Sequence, residues 1–170
     1  DGEIDDFVQV EGSLHLGRNS RVLAGTYIEG PVYIGENCTV GPSAYLRAGT
    51  VLEGNNHVGN SSEIKNSVIG RGSNVPHLSY VGDSILCDDV NLGAGTTVAN
   101  LKFDDTPVEA EIKGRLVSSQ KRKLGCVIGS GTRVGINTSI NCGVLIGSRC
   151  QIYPNSCVMH NVESGKHYRD

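Results

Sequence analysis

At 170 residues the chain has the length of a single domain. Glycine is abundant at 23 residues, against 6 tyrosines, 2 phenylalanines and no tryptophan. That mix excludes an ordinary core packed from large rings and favours a fold of repeated turns. The formal net charge of -3, from 15 basic and 18 acidic residues, comes with no basic stripe suited to nucleic acid and no apolar run of membrane-spanning length.

The chain opens at Asp1 without a methionine or a recognisable secretion signal, so the expectation is that something upstream has been removed. From there a repeat dominates. Aliphatic residues recur every six positions at Val10, Leu16, Val22, Ile28, Ile34, Val40, Leu46, Leu52, Val58 and Ile64. The phase resumes at Ile69, Val75 and Val81, then at Leu86, Leu92 and Val98, and again from Ile128 to Val158. Two residues earlier the side chain is small in most repeats, as at Ser20, Thr26, Cys38, Ala44 and Thr50. The residue after the aliphatic is often glycine, as at Gly17, Gly35, Gly41, Gly59, Gly70 and Gly93.

A period of six is neither helical nor simple strand alternation. It fits a short extended segment and a corner, with the aliphatic and the small residue facing inward. The glycine is expected at the bend, where a positive φ is cheap for it. Three segments make a triangular coil of about 18 residues, stacked by strand pairing at about 4.8 Å per layer. The predicted fold is an all-β parallel β-helix of seven to eight coils, over about 8–100 and 125–163.

Departures from the rule come next along the chain. Arg47 and Lys65 hold the position usually given to glycine, 18 residues apart, so they are predicted to stack on adjacent layers. Two cations side by side cost energy unless an anion lies between them, and Arg47 suits bidentate contact with one. The alternative is two long side chains splaying into water. The step shortens to five at Ile64–Ile69 and at Val81–Leu86, bracketing 75–81; broken local rules are enriched at functional sites. Residues 101–124 are crowded with charge and carry no repeat phase. They read as one protruding loop or hairpin, in which VEAEIKG and RLVSS alternate, projecting away from the coil. The six cysteines lack metal-ligand spacing, and three occupy small-residue positions, which predicts a reduced, cytoplasmic chain.

The hexads resemble those of the left-handed parallel β-helix acyltransferases; the left hand is an implication of that resemblance, since parallel crossovers are usually right-handed. AYLRAG (44–49), HVGNSSEIKNSVIG (57–70), PHLSYVGDS (76–84) and VNLGAGTTVAN (90–100) are similar, in order, to the acetyltransferase domain of bifunctional glucosamine-1-phosphate acetyltransferase/uridylyltransferases. The excursion is more like that of the archaeal sugar-1-phosphate nucleotidylyltransferase/acetyltransferases, which carry a nucleotidylyltransferase domain upstream.

The resemblance implies acetyl-CoA-dependent N-acetylation of an amino-sugar 1-phosphate, glucosamine or galactosamine, feeding UDP-N-acetylhexosamine synthesis, with no metal needed. His77 would be the base, a role open to an imidazole near neutral pH. Arg47 and Lys65 would hold phosphate and sugar. Tyr80, Asn91 and Asn100 would contact the sugar, as would Lys123 once the longer loop is aligned, although Lys121 and Arg122 lie close enough to substitute. Gly-Ala-Gly at 93–95 is by itself an ordinary turn; the resemblance assigns the backbone at Ala94 to acetyl-CoA, and N–H groups near it are expected to stabilise the reaction's oxyanion. It also implies a homotrimer with sites between subunits. Other readings are a hexapeptide acyltransferase with another acceptor, a γ-type carbonic anhydrase, for which a suitably spaced histidine set is lacking, and a non-catalytic trimerisation scaffold.

Overall fold

A computed structural model describes residues 2–169. The chain is a left-handed parallel β-helix of about nine turns, with no helix among the described residues. Its first face holds nine strands, from Glu3–Ile4 through His57–Val58, Asn74–Val75 and Asn91–Leu92 to His167–Tyr168. The second holds eight, including Tyr27–Glu29, Tyr45–Leu46, Glu63–Lys65, Tyr80–Gly82 and Thr97–Val98, and the third holds seven. The count exceeds the expected seven to eight because both ends hide their phase. Ile4 continues the hexad but is 51% exposed on an open end, and after Val158 the step is irregular before Tyr168.

The repeat forms its core as predicted. Val22, Ile28, Ile34, Val40, Leu46, Leu52, Val58 and Ile64 are fully buried, and they stack in register, Ile28 on Leu46 on Ile64 on Val81. Cys38, Cys126 and Cys150 are buried at small-residue positions, and burial pushes the Cys126 thiol up to about 12. Buried hydroxyls are satisfied between layers, as where Ser20 Oγ donates to the Gly35 carbonyl at 2.6 Å and accepts from the Cys38 N–H at 2.8 Å.

Two expectations are corrected. The glycines after the aliphatics do not, as a group, take positive φ; of the six quoted above only Gly41 does. They are there because the next coil passes too close: a Cβ on Gly93 would lie 2.6 Å from the Ile136 nitrogen. The left-handed residues come later in each corner, at Asn19, Asn37 and Asn55, where asparagine tolerates the conformation, or at Gly49 and Gly95. The excursion does form a hairpin, Glu109–Ile112 with Arg115–Ser118, but it does not project away. Val108 is buried against the coil, and the Asn161 side chain donates to the Glu111 carbonyl at 2.8 Å.

Candidate active site

The irregular steps share one corner. The short corners Lys65–Ser67 and Gly82–Ser84 both turn the chain from the second face to the third, one layer apart, so pairing there is by 17 residues: Ile64 with Val81 and Ile69 with Leu86. On the next layer the excursion leaves from the same corner, where Leu101 bridges Lys123 and the Leu124 N–H donates to the Asn100 carbonyl at 3.0 Å. Three successive layers therefore break the repeat at one place.

Beside that corner the outward side chains of the second face form a charged ladder. Leu46 pairs with Ile64, which puts Arg47 on the layer next to Lys65 as predicted. The two cations are not left facing each other. Arg47 Nη1 donates to Glu63 at 3.0 Å, its Nε lies 3.7 Å from Glu29, and it sits over the Tyr45 ring at 5.5 Å. The Glu63 carboxylate, above all, raises the Arg47 pKa further. Lys65 Nζ donates to both oxygens of Asp83 at 3.1 and 3.0 Å. The expectation that the pair requires an external anion is thus corrected: carboxylates from this chain already neutralise it. Arg47 Nε stays buried without a hydrogen bond among the described residues.

Asp83 gathers more than Lys65. Its carboxylate also accepts from Asn66 at 2.7 Å and from Asn100 at 2.5 Å, and the Asn100 amide donates to the Tyr80 hydroxyl at 3.1 Å. The side chain is only 7% exposed. Burial pushes the Asp83 carboxyl up, but the donors Asn66, Lys65 and Asn100 outweigh it and hold the group below its ordinary value. Gly82 leaves room for this cluster, since a Cβ there would lie 2.5 Å from the Tyr80 hydroxyl and 2.7 Å from the Asn100 amide nitrogen.

Arg47, Lys65, Tyr80 and Asn100 are thus brought together, with Lys123 beside Asn100 at the neck of the excursion. Arg122 is committed to Asp105 at 2.8 Å, whereas Lys123 has no ion pair among the described residues. His77 and Ala94 meet at the opposite edge of the second face, on adjacent layers: the Gly95 N–H donates to the His77 carbonyl at 3.3 Å. His77 is exposed, and the Ala94 N–H makes no hydrogen bond among the described residues. Gly82, the strand partner of Lys65, follows His77 by five positions, so their Cα atoms lie at most about 18 Å apart. Asn91 is not with either group; it lies on the first face between Asn74 and Arg133. A recess of about 230 Å³ lies elsewhere, under the excursion, lined by Val108, Leu116, Cys142 and His160 among others. The predicted residues occupy an open face instead.

Sequence reasoning missed Glu29, Glu63, Asn66 and Asp83. Asp83 follows Lys65 by 18 residues, the repeat length that linked Lys65 to Arg47, so the ladder itself held the signal. Its place was hidden because the shortened corners pair Lys65 with Gly82 and stack Asp83 on Asn66.

Residues 10–107 match the family described as the GMPPB C-terminal domain. The chain is 47% identical over 168 residues to the bifunctional sugar-1-phosphate nucleotidylyltransferase/acetyltransferase of Sulfurisphaera tokodaii, covering 99% of the chain and 42% of that relative. It is 44% identical over 100 residues to the bifunctional protein GlmU of Methanocaldococcus jannaschii, covering 59% of the chain and 24% of the relative. The chain therefore spans well under half the length of these curated relatives. Among solved structures, a mutant perosamine N-acetyltransferase from Caulobacter crescentus, in complex with CoA and GDP-perosamine, superimposes with a TM-score of 0.51 at 15% identity, over 98% of this chain and 52% of that one. The UDP-N-acetylglucosamine acyltransferase of Campylobacter jejuni gives 0.50 at 15% identity, over 94% and 68%. At these identities the likeness is one of fold.

Proposed function

The chain belongs to the GMPPB C-terminal domain family, and from its similarity to bifunctional acetyltransferases together with the second-face ladder we propose that it transfers an acetyl group from acetyl-CoA to the 2-amino group of an amino-sugar 1-phosphate. The observation that carries this reading is the layout of one face. An exposed histidine stands on the layer next to an unengaged backbone N–H at one edge, and two cations with an amide and a phenol stand at the other. A span of at most about 18 Å between backbones suits a sugar phosphate held by side chains from both edges.

In this proposal acetyl-CoA is a co-substrate that supplies an activated acetyl group. His77 takes the proton released as the substrate amine forms its new bond to the acetyl carbon, the Ala94 N–H donates to the oxygen on which charge develops, and the carbon–sulfur bond then breaks, the CoA thiolate leaving as thiol with that proton. Arg47 and Lys65 bind the phosphate and sugar, the Glu63 and Glu29 carboxylates yielding to the ligand. Tyr80, Asn100 and Lys123 fix the sugar hydroxyls. Asn91, on the neighbouring face, reaches the sugar of a second copy in a homotrimer, an arrangement that would also cover the open face.

Glucosamine-1-phosphate and galactosamine-1-phosphate are the acceptors proposed, with the product passing to a nucleotidylyltransferase. Thiol release from acetyl-CoA in the presence of either sugar tests the reading; no release above hydrolysis with both would sink it. One observation favours a second reading, a non-catalytic scaffold: each cation already has a carboxylate partner, so the ladder closes without ligand. A scaffold would trimerise and show no saturable dependence of thiol release on amino sugar.

A further inference from the structure

The two cations of the ladder are held in different ways. The partners of Arg47 are carboxylates of the open face, with side chains 34% exposed at Glu63 and 44% at Glu29, each reached by one guanidinium nitrogen. Asp83 is different. Its side chain is 7% exposed, and both oxygens are occupied, by Lys65 and Asn66 on one and by Lys65 and Asn100 on the other. Its backbone is tied as well: the N–H donates to the Lys65 carbonyl and the carbonyl accepts from the Gly125 N–H, both at 2.8 Å. A phosphate arriving from solvent can displace an exposed carboxylate, which regains water. It cannot displace one that is buried and accepts from three side chains without stranding them.

We propose that Asp83 is a positioning residue of the amino-sugar site: it touches neither substrate nor reacting atoms, but fixes the Lys65 ammonium, the Asn100 amide and, through Asn100, the Tyr80 hydroxyl as one polar array. Lys65 has three N–H donors, so two can remain on Asp83 while the third faces the ligand. The 17-residue layer offset pairs Lys65 with Gly82 and stacks Asp83 between Asn66 and Asn100, so the short corner brings the two amides to the carboxylate. An aspartate tolerates the left-handed φ of 52 found there, and an asparagine does too. This inference rests on the acetyl-transfer reading for its kinetic consequence, but not for its structural one.

The test combines kinetics with lysine labelling. Asp83→Asn keeps shape and backbone while removing the charge. The expected result is a KM for the amino-sugar 1-phosphate raised tenfold or more, with the KM for acetyl-CoA within about twofold of wild type. Lys65→Met should lower kcat/KM, and the double variant should lose less than the product of the two single losses, because the residues act as a unit. In wild type, trace acetic anhydride should label Lys65 more slowly than the exposed Lys166, and Asp83→Asn should abolish much of that difference. An unchanged sugar KM in Asp83→Asn, or losses that multiply, overturns the proposal. So does wild-type Lys65 labelled as fast as Lys166, a result that stands even if the variant does not fold. If the wild-type chain acetylates neither amino sugar, the functional reading fails, and the labelling alone then decides whether Asp83 holds Lys65.

Discussion

Gly82→Ala probes the site with one added methyl. An ideal Cβ at this position lies 2.5 Å from the Tyr80 hydroxyl oxygen, 2.9 Å from the ring carbon bearing it and 2.7 Å from the Asn100 amide nitrogen. Ordinary contacts need about 3.5 Å, so the phenol and the amide must each retreat by roughly 0.8–1 Å. That is enough to break the 3.1 Å Asn100–Tyr80 hydrogen bond. Both atoms are ends of side chains at the surface, so the backbone need not move. The lost bond is worth about 0.5–1.5 kcal/mol, and the methyl should lower stability by no more than that. Substrate recognition should suffer more, because Tyr80 and Asn100 move off the positions from which the proposed function has them contact the sugar. A loss of about 1.5–3 kcal/mol there corresponds to roughly ten- to a hundredfold in kcat/KM for the amino sugar. Urea unfolding measures the first quantity and thiol release with varied amino sugar the second. A variant with an unchanged sugar KM would show that Tyr80 and Asn100 do not recognise the substrate, and a stability loss above about 3 kcal/mol would show that the collision falls on the backbone instead.

Three further outcomes are expected. His77→Ala should leave the unfolding midpoint unchanged, since the side chain is exposed, while lowering kcat about 10²- to 10⁴-fold; wild-type turnover in the folded variant refutes the base assignment. Asp83 has a folded pKa below its unfolded value of about 3.9, so its contribution to stability is full above that value and is lost as pH falls through the folded value. Urea midpoints of wild type and Asp83→Asn should therefore differ at pH 7 and converge below about pH 4; a constant difference would count against the charge. Gly93→Ala places a Cβ 2.6 Å from the backbone nitrogen of Ile136 on the next coil and should cost about 1–3 kcal/mol or more, read by thermal melting. A melting point equal to wild type would mean that adjacent coils can part without cost.

The repeat made the scaffold legible. Aliphatics at every sixth position can be buried together only if three short strands close a coil, so the fold class, the buried positions and the stacking of Arg47 on Lys65 follow from spacing alone. The hairpin within 101–124 was legible for the same reason, because alternation is a local property. The role of the corner glycines was not, since a collision with the next coil is invisible in a single repeat; composition suggested a turn conformation where the real constraint was closeness between layers.

The site divides along the same line. Motif resemblance nominated His77, Tyr80 and Asn100, whereas the period by itself singled out Lys65 and placed it on the layer next to Arg47. Which charge faces which was decided by the tertiary structure. One residue missing from each of two stacked corners changes the offset from 18 to 17, so Gly82 pairs with Lys65 and Asp83 stacks between Asn66 and Asn100 while still reaching the Lys65 ammonium. The same geometry placed Asn91 on another face and folded the excursion back onto the coil. Period is set by each repeat on its own, whereas electrostatic partners depend on the summed offsets between repeats, and only the closed coil fixes that sum.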